Sequence, residues 1–161
     1  MITQTAEYAL RAVVYLAMRP DSQPASALEI SEAVRVPVGY LQKILRMLAR
    51  QGILSAQRGS GGGFAMAKVA TAISVLDILD ATDSGPQRIE RCPLGIKGHT
   101  NLCTLHRLLD NQIARAEQTF AQTSIADLVD GSSGIRPLCD AAGGFPVALD
   151  VSAGARRQEP K

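Results

Sequence analysis

The spacing of apolar residues in the first half of the chain predicts three short helices. Residues 5–17 place apolar side chains at three- and four-residue steps, which is the period of a helix that packs one face against a core. A proline-containing break follows, after which Ser26 and Glu29 form the capping-box start of a second helix. Pro37 opens a third helix at a first-turn position where its missing N–H is harmless, and Gly52 ends it.

Two short strand patterns around a glycine-rich loop predict a hairpin after the third helix. The strand candidates are residues 53–57 and 64–67, and the loop from Arg58 to Gly63 reads RGSGGG. This loop does not match a nucleotide phosphate-binding loop, because it lacks the GxxxxGK[ST] pattern and joins two strands rather than a strand and a helix. The next apolar pattern predicts a fourth helix at residues 74–82.

The second half of the chain contains the longest amphipathic pattern. A loop rich in proline and glycine occupies residues 84–100, and residues 101–122 then predict one long helix. The apolar stripe of such a helix needs a partner, and a second copy of the same helix is the simplest one. A short closing helix begins at Ser124, and residues 131–161 lose periodicity, which is typical of a disordered tail.

Composition narrows the class of protein. The 161 residues suit one domain or one domain with an appendage, and no run approaches the roughly 20 apolar residues of a membrane span. The first residues show no secretory pattern, so we expect a cytoplasmic protein with no membrane partner. Three cysteines in such a protein favour metal ligation or redox chemistry over structural disulfides.

Charge is unevenly distributed along the chain, although the net charge is only +2. No acidic residue occurs between Ala33 and Leu76. The same window contains the basic residues Arg35, Lys43, Arg46, Arg50, Arg58 and Lys68. An acid-free stretch of this kind indicates a surface for a polyanion, and a solvated basic face is the alternative.

The third predicted helix has an apolar side and a cationic side. On a helical wheel the apolar side consists of Leu41, Ile44, Leu45 and Leu48, and the cationic side consists of Lys43, Arg46 and Arg50. A short helix and a tight turn precede it, which completes a helix-turn-helix pattern. In such a motif the second helix enters the DNA major groove, and the following hairpin is interpreted as a wing.

This interpretation predicts which residues contact DNA. The first turn of the third helix faces base edges, its cations hold phosphates, and the hairpin brings an arginine to the minor groove and backbone N–H groups to phosphate. The predicted contacts are Val38, Gly39, Tyr40 and Gln42 at the first turn, Lys43 and Arg46 on phosphates, and Arg58, Ser60 and Gly61 in the wing. Tyr40 is expected to hydrogen-bond a phosphate.

The predicted fold class is mainly α: a winged helix-turn-helix with a short two-stranded wing and a long C-terminal dimerisation helix. We divide the chain into a DNA-binding domain at residues 1–83 and a sensor loop at 84–100. The dimerisation helix and closing helix take 101–130, and the tail takes 131–161.

From residue 1 to about residue 130 the chain resembles the IscR/NsrR-type family of bacterial winged-helix regulators. The resemblance lies in AEYALR at residues 6–11, PVGYLQKIL at 37–45, RGSGGGF at 58–64 and SIADL at 124–128. It implies a homodimeric transcription regulator, expected to be a repressor, that binds a palindromic operator in double-stranded DNA. Many members sense iron–sulfur status, nitric oxide or redox state through a cluster in the loop before the dimer helix, and some carry no cluster.

Both histidines of the chain and two of its three cysteines lie between Cys92 and His106. Thiolates bind iron strongly, and an imidazole in place of a thiolate raises the potential of an iron–sulfur cluster. Family members with a cluster usually have three cysteines here, and this chain lacks the middle one. The resemblance therefore implies Cys92 and Cys103 as ligands, with His106 or His99 and with Glu7 from the other subunit.

Several alternatives remain for this segment. The missing cysteine favours a 2Fe–2S cluster over a 4Fe–4S cluster, whereas the four Cys and His side chains also suit tetrahedral zinc. A cluster-free thiol switch that joins Cys92 and Cys103 is a third hypothesis, and a segment without any ligand is a fourth. Cys139 is interpreted as an idle surface thiol. A Cys–His nucleophile is disfavoured because no scaffold or substrate pocket is visible, so we expect no enzyme.

Overall fold

Six α-helices, one short 3₁₀-helix and a two-stranded antiparallel sheet form the described part of the chain. The computed structural model describes residues 2–19, 23–59, 61–93, 95 and 101–130. The predicted tail at 131–161 therefore lies outside the described residues. In chain order the elements are α1 (Gln4–Ala17), α2 (Ala27–Val34), α3 (Val38–Arg50), β1 (Leu54–Gln57), β2 (Gly63–Met66), the 3₁₀-helix (Ala70–Ala72), α4 (Val75–Ala81), α5 (Thr104–Gln122) and α6 (Ile125–Asp130).

The core is aliphatic and forms around α1, which contacts α2, α3, α4, α6 and β2. Three alanines of α1 are fully buried, and their small side chains allow the neighbouring helices to approach closely: Ala6, Ala9 and Ala12. The apolar side of α3 packs into this core, as the wheel predicts, with Leu41, Ile44, Leu45 and Leu48 all buried. The winged-helix fold class that the sequence predicts is thus confirmed.

Serine or threonine hydroxyls begin most of the helices. Thr3, Ser26 and Ser74 each accept a hydrogen bond from a backbone N–H in the first turn of α1, α2 and α4, respectively. At α6 the Ser124 hydroxyl accepts from the N–H of Asp127 at 3.2 Å. The helices α3 and α5 begin at Pro37 and Cys103 without any such side-chain bond.

The wing pairs with a third segment that the sequence did not predict. β1 and β2 pair in register from Leu54 opposite Met66 to Gln57 opposite Gly63. On the edge of β2 that faces away from β1, Phe64 exchanges two backbone hydrogen bonds with Ala25, of 2.8 and 2.9 Å. A Cβ atom on Gly63 would lie 2.2 Å from the carbonyl oxygen of Ala25, so only glycine fits there. The wing is therefore fixed to the segment that leads into α2.

The end of α5 is joined to the start of α4. The N–H of Val75 donates to the carbonyl of Thr123 at 2.9 Å, and the N–H of Ile125 donates to the carbonyl of Ile73 at 2.8 Å. Ile125 is fully buried, whereas no residue of α5 itself is buried. The long helix begins at Thr104, three residues later than predicted, because Cys103 takes an extended conformation as its N-cap.

Candidate DNA-binding face and cysteine cluster

The outer side of α3 carries free positive charge. Lys43, Arg46 and Arg50 are exposed, on the side opposite the four buried leucine and isoleucine side chains. Within the described residues none of the three cations forms an ion pair, and the only hydrogen bond of their side chains joins Arg50 Nε to the carbonyl of Arg46. These charges are consequently available to an external anion.

The first turn of α3 is also open to an anion. Val38, Gly39 and Tyr40 are exposed and Gln42 is half-buried. Pro37 offers no side-chain acceptor to the first N–H groups, and the first turn contains no acidic residue. Unpaired N–H groups at a helix start attract negative charge. A Cβ on Gly39 would meet nothing within 4 Å, so the fold does not require glycine at this position.

The hydroxyl of Tyr40 is already engaged within the chain. It lies 2.5 Å from Thr5 Oγ1, and the Tyr40 ring packs edge-on against Tyr8 with ring centroids 6.1 Å apart. A phenol both donates and accepts, so a phosphate can still be bonded when Thr5 is the donor to Tyr40. The sequence pattern did not predict this link between α1 and α3.

The backbone at the tip of the wing adopts positive φ angles, which favour glycine. Gly59 and Gly61 have positive φ angles of 103° and 84°, and the N–H of Gly62 donates to the carbonyl of Gly59 at 2.9 Å. Arg58 is exposed beside this turn. Ser60, the remaining predicted wing contact, lies outside the described residues.

Two thiols and one imidazole meet at the start of α5. The Sγ atoms of Cys103 and Cys92 lie 3.2 and 3.6 Å from Nδ1 of His106. All three side chains are half-buried, and neither cysteine is in a disulfide. Cys103 and His106 share one face because they are three residues apart at a helix start, and the preceding loop brings Cys92 to them.

The chemistry of this donor set fits a soft metal or an iron–sulfur cluster, since thiolate and imidazole are both ligands for iron and zinc. The geometry is that of a hydrogen-bonded cluster. Across the described ranges no group of three or more His, Cys, Asp or Glu side chains is arranged to hold a metal ion. The predicted ligand His99 and the third cysteine, Cys139, lie outside the described residues.

Glu7, the ligand expected from the other subunit, is exposed on the first turn of α1. Its carboxylate accepts a charged hydrogen bond from Arg11, one turn further along the helix. The guanidinium of Arg11 lies 5.6 Å from the centroid of the Tyr8 ring. Glu7 therefore lies, within the same chain, next to the Tyr8–Tyr40 pair that links α1 to α3.

An ion pair that the sequence did not reveal ties the sensor loop to α5. Arg88 Nε and Nη2 donate to the two oxygens of Asp110 at 2.8 and 2.7 Å, and the N–H of Ile89 donates to Oδ1 at 3.0 Å. Glu117 lies 3.5 Å from Arg88 Nη1. Arg88 and the Ile89 N–H lower the pKa of Asp110 to about 2, and Asp110 raises the pKa of Arg88.

A helix-turn-helix, a wing and a cationic outer side on the second helix define a winged-helix protein of the kind that regulates transcription. The chain belongs to the Rrf2 family, whose model is described as an iron-dependent transcriptional regulator and matches residues 2–131. The expected resemblance is confirmed, and the protein is a transcription regulator rather than an enzyme. No helix within the described residues has the length and apolar content for crossing a membrane.

Solved structures of similar fold include two proteins named CymR and one named IscR. The chain superimposes on the global cysteine regulator CymR of B. subtilis with a TM-score of 0.70, at 19% identity over 81% of this chain and 96% of that one. For IscR of T. potens the TM-score is 0.66, at 19% identity, with 81% and 86% covered. For CymR of Staphylococcus aureus it is 0.66, at 21% identity, with 81% and 99% covered. These likenesses show a shared fold.

Proposed function

We propose that the protein is a homodimeric repressor that binds a palindromic operator in double-stranded DNA through α3 and the wing. The main support for this proposal is the exposed cationic side of α3, whose Lys43 and Arg46 have no ion-pair partner within the described residues. Neutralising phosphates with such groups releases condensed counterions, which favours binding to any duplex. In this proposal Val38, Gly39, Tyr40 and Gln42 face the bases, and Arg58 of the wing reaches the minor groove, with Ser60 and Gly61 near phosphate.

The division of labour follows the predicted segments. Residues 1–83 bind DNA, 84–100 form the sensor loop, and 101–130 form the dimer. Large apolar side chains on α5 are exposed in the single chain: Leu105, Leu108 and Leu109. Pairing α5 with a second copy covers them, and it sets two copies of α3 about 34 Å apart for successive major grooves.

We assign the regulatory signal to Cys92, Cys103 and His106. Two thiols and an imidazole support a 2Fe–2S cluster, with His99 or Glu7 of the partner subunit as the fourth ligand. When bound, such a cluster supplies reversible one-electron chemistry. Cys92 belongs to the sensor loop and Cys103 to the start of α5, so a group held by both fixes the loop against the helix.

A thiol switch without a cluster is the second candidate. It is favoured by the contact of both Sγ atoms with the same nitrogen, His106 Nδ1, which keeps the two sulfurs close. In that reaction a peroxide accepts two electrons and two protons from the thiols and is released as water, while Cys92 and Cys103 form a disulfide. His106 first accepts the proton of the attacking thiol and then gives it to the departing hydroxide, which leaves as water.

One preparation separates these candidates. Anaerobically purified protein is analysed for visible absorbance, iron, sulfide, zinc and free thiols, and its affinity for duplex DNA is measured before and after loss of the bound group or oxidation. Iron and sulfide in equal amounts support the cluster, and loss of two thiols without iron supports the disulfide. Equal DNA affinity in both states rejects the switch and leaves DNA binding intact.

A further inference from the structure

The turn between α2 and α3 contains an arginine in a backbone conformation that favours glycine. Arg35 has φ 61° and ψ 47°, in the left-handed region. A side chain with a Cβ is destabilised there relative to glycine, and single positions of this kind are usually glycine or asparagine. Arg35 is one of two non-glycine residues with positive φ in the described ranges, and the other is Asp83.

The surrounding turn holds this conformation in place. Val36 is 2% exposed, and its N–H donates to the carbonyl of Ser31 at 3.2 Å. The hydroxyl of Ser31 donates in return to the carbonyl of Val36 at 2.7 Å. Because Val36 must enter the core and α3 begins two residues later, residue 35 cannot relax to another backbone conformation.

The side chain of Arg35 is exposed and forms no hydrogen bond or ion pair within the described residues. Val38, the first residue of α3, is three positions further along the chain, so the Cα atoms of the two residues lie within about 11 Å of each other. It also falls in the acid-free segment that contains Lys43 and Arg46. Strain at an exposed charge beside a binding face is a reason to seek a role for that charge in binding.

We propose that Arg35 is a DNA phosphate contact that anchors the start of α3 on the duplex, an inference that rests on the proposed DNA-binding function. The guanidinium binds a phosphate next to the groove that α3 enters, and a dimer contributes two such contacts. The simpler explanation is that a cation at the end of α2 favours the helix dipole. That explanation requires no effect on DNA affinity.

The test compares Arg35→Gly and Arg35→Asn with Asp83→Gly, which changes the other left-handed residue. Glycine and asparagine both accept this backbone conformation, so the variants are expected to remain folded, as circular dichroism would verify. Affinity for a labelled duplex of random sequence is measured by anisotropy at several salt concentrations. At 0.1 M salt each lost Arg35 contact is expected to weaken DNA binding roughly five- to tenfold. Because a dimer loses two contacts, the slope of log affinity against log salt concentration should become smaller by about two.

The control Asp83→Gly is expected to leave affinity and slope as in the wild type. If both Arg35 variants keep the wild-type affinity and slope while Arg46→Ala lowers them, the phosphate contact is refuted and DNA binding by α3 stands. If the wild-type protein shows no salt-dependent duplex binding at all, the proposed function is wrong, and the role of Arg35 is rejected with it.

Discussion

Arg88 and Asp110 form a two-bond ion pair that fastens the sensor loop to the second turn of α5. Asp110 accepts a third hydrogen bond, from the N–H of Ile89, so its carboxylate is held in the charged form. The pair lies between the cysteine cluster at the start of α5 and Glu117, further along the same helix. A change at the cysteines therefore acts on a loop that already has a fixed point on α5.

Replacing Asp110 with Asn is expected to lower stability at neutral pH and to remove part of its pH dependence. The pKa of Asp110 is about 2 in the folded protein, below its usual value, so its contribution is present above that usual value. The contribution is lost as the pH falls from about 5 to about 2. Urea midpoints of wild type and variant should differ at pH 7 and converge toward pH 2. Glu90→Gln, in the same loop, is the control, and a constant difference across this pH range would contradict the prediction.

Arg46→Ala should weaken binding to all duplexes alike. The side chain is exposed on the cationic side of α3, and among the described residues it forms no ion pair. The slope of log affinity against log salt should fall by about one for each copy of Arg46 in contact. Anisotropy titrations over a range of salt measure this. Arg115→Ala, which removes the same charge from α5, should have no effect, and an equal loss in both variants would argue for bulk charge instead.

The double substitution Leu105→Glu and Leu109→Glu should dissociate the dimer that we propose. Both side chains are exposed in the single chain, at 59% and 44%, and lie one turn apart on α5. Burying a leucine contributes about 1.5–3 kcal/mol, so losing two per copy should raise the dimer dissociation constant at least about 100-fold. Sedimentation velocity measures the mass. Gln118→Glu, on the opposite side of α5, should remain dimeric, and a dimeric double variant would place the interface elsewhere.

Cys103→Ser should abolish the response of DNA affinity to the redox state. Its Sγ lies 3.2 Å from His106 Nδ1, and both the cluster and the disulfide need this sulfur. Iron content or peroxide-dependent thiol loss reports the chemistry, and a parallel duplex titration reports the function. Cys139→Ser should behave as the wild type. A response that survives Cys103→Ser would exclude the cysteine cluster as the sensor.

Gly63→Ala should destabilise the protein, and Gly39→Ala should stabilise it. The new Cβ at residue 63 overlaps the carbonyl oxygen of Ala25 at 2.2 Å, which we expect to lower the free energy of unfolding by about 1–3 kcal/mol. A Cβ atom added at residue 39 would meet no other atom within 4 Å, and alanine is favoured over glycine in a helix by about 0.5–1 kcal/mol. Thermal unfolding of both variants checks the signs. An equally stable Gly63→Ala would show that Ala25 and β2 can separate freely.

Local patterns predicted most of the helices and the wing. The four buried residues of α3 follow from their spacing, and Cys103 and His106 are brought together by one helical turn. The pairing of Ala25 with Phe64 and the bonds between Arg88 and Asp110 join residues that are far apart in sequence. Such contacts depend on how the elements pack against one another, so periodicity and capping signals do not predict them. The link from Thr5 to Tyr40 has the same origin.

The backbone bonds between the start of α4 and the end of α5 fix one end of the long helix. Its end is joined to α4 through the backbone bonds of Thr123 and Ile125, whereas Cys103, the residue that begins it, shares His106 with Cys92 of the sensor loop. An α-helix of 19 residues is about 28 Å long, so a tilt of about 5° around the clamped end displaces the other end by roughly 2.5 Å. In the dimer that we propose, a reaction that moves the sulfur of Cys103 would therefore shift this end of α5 relative to the winged domain.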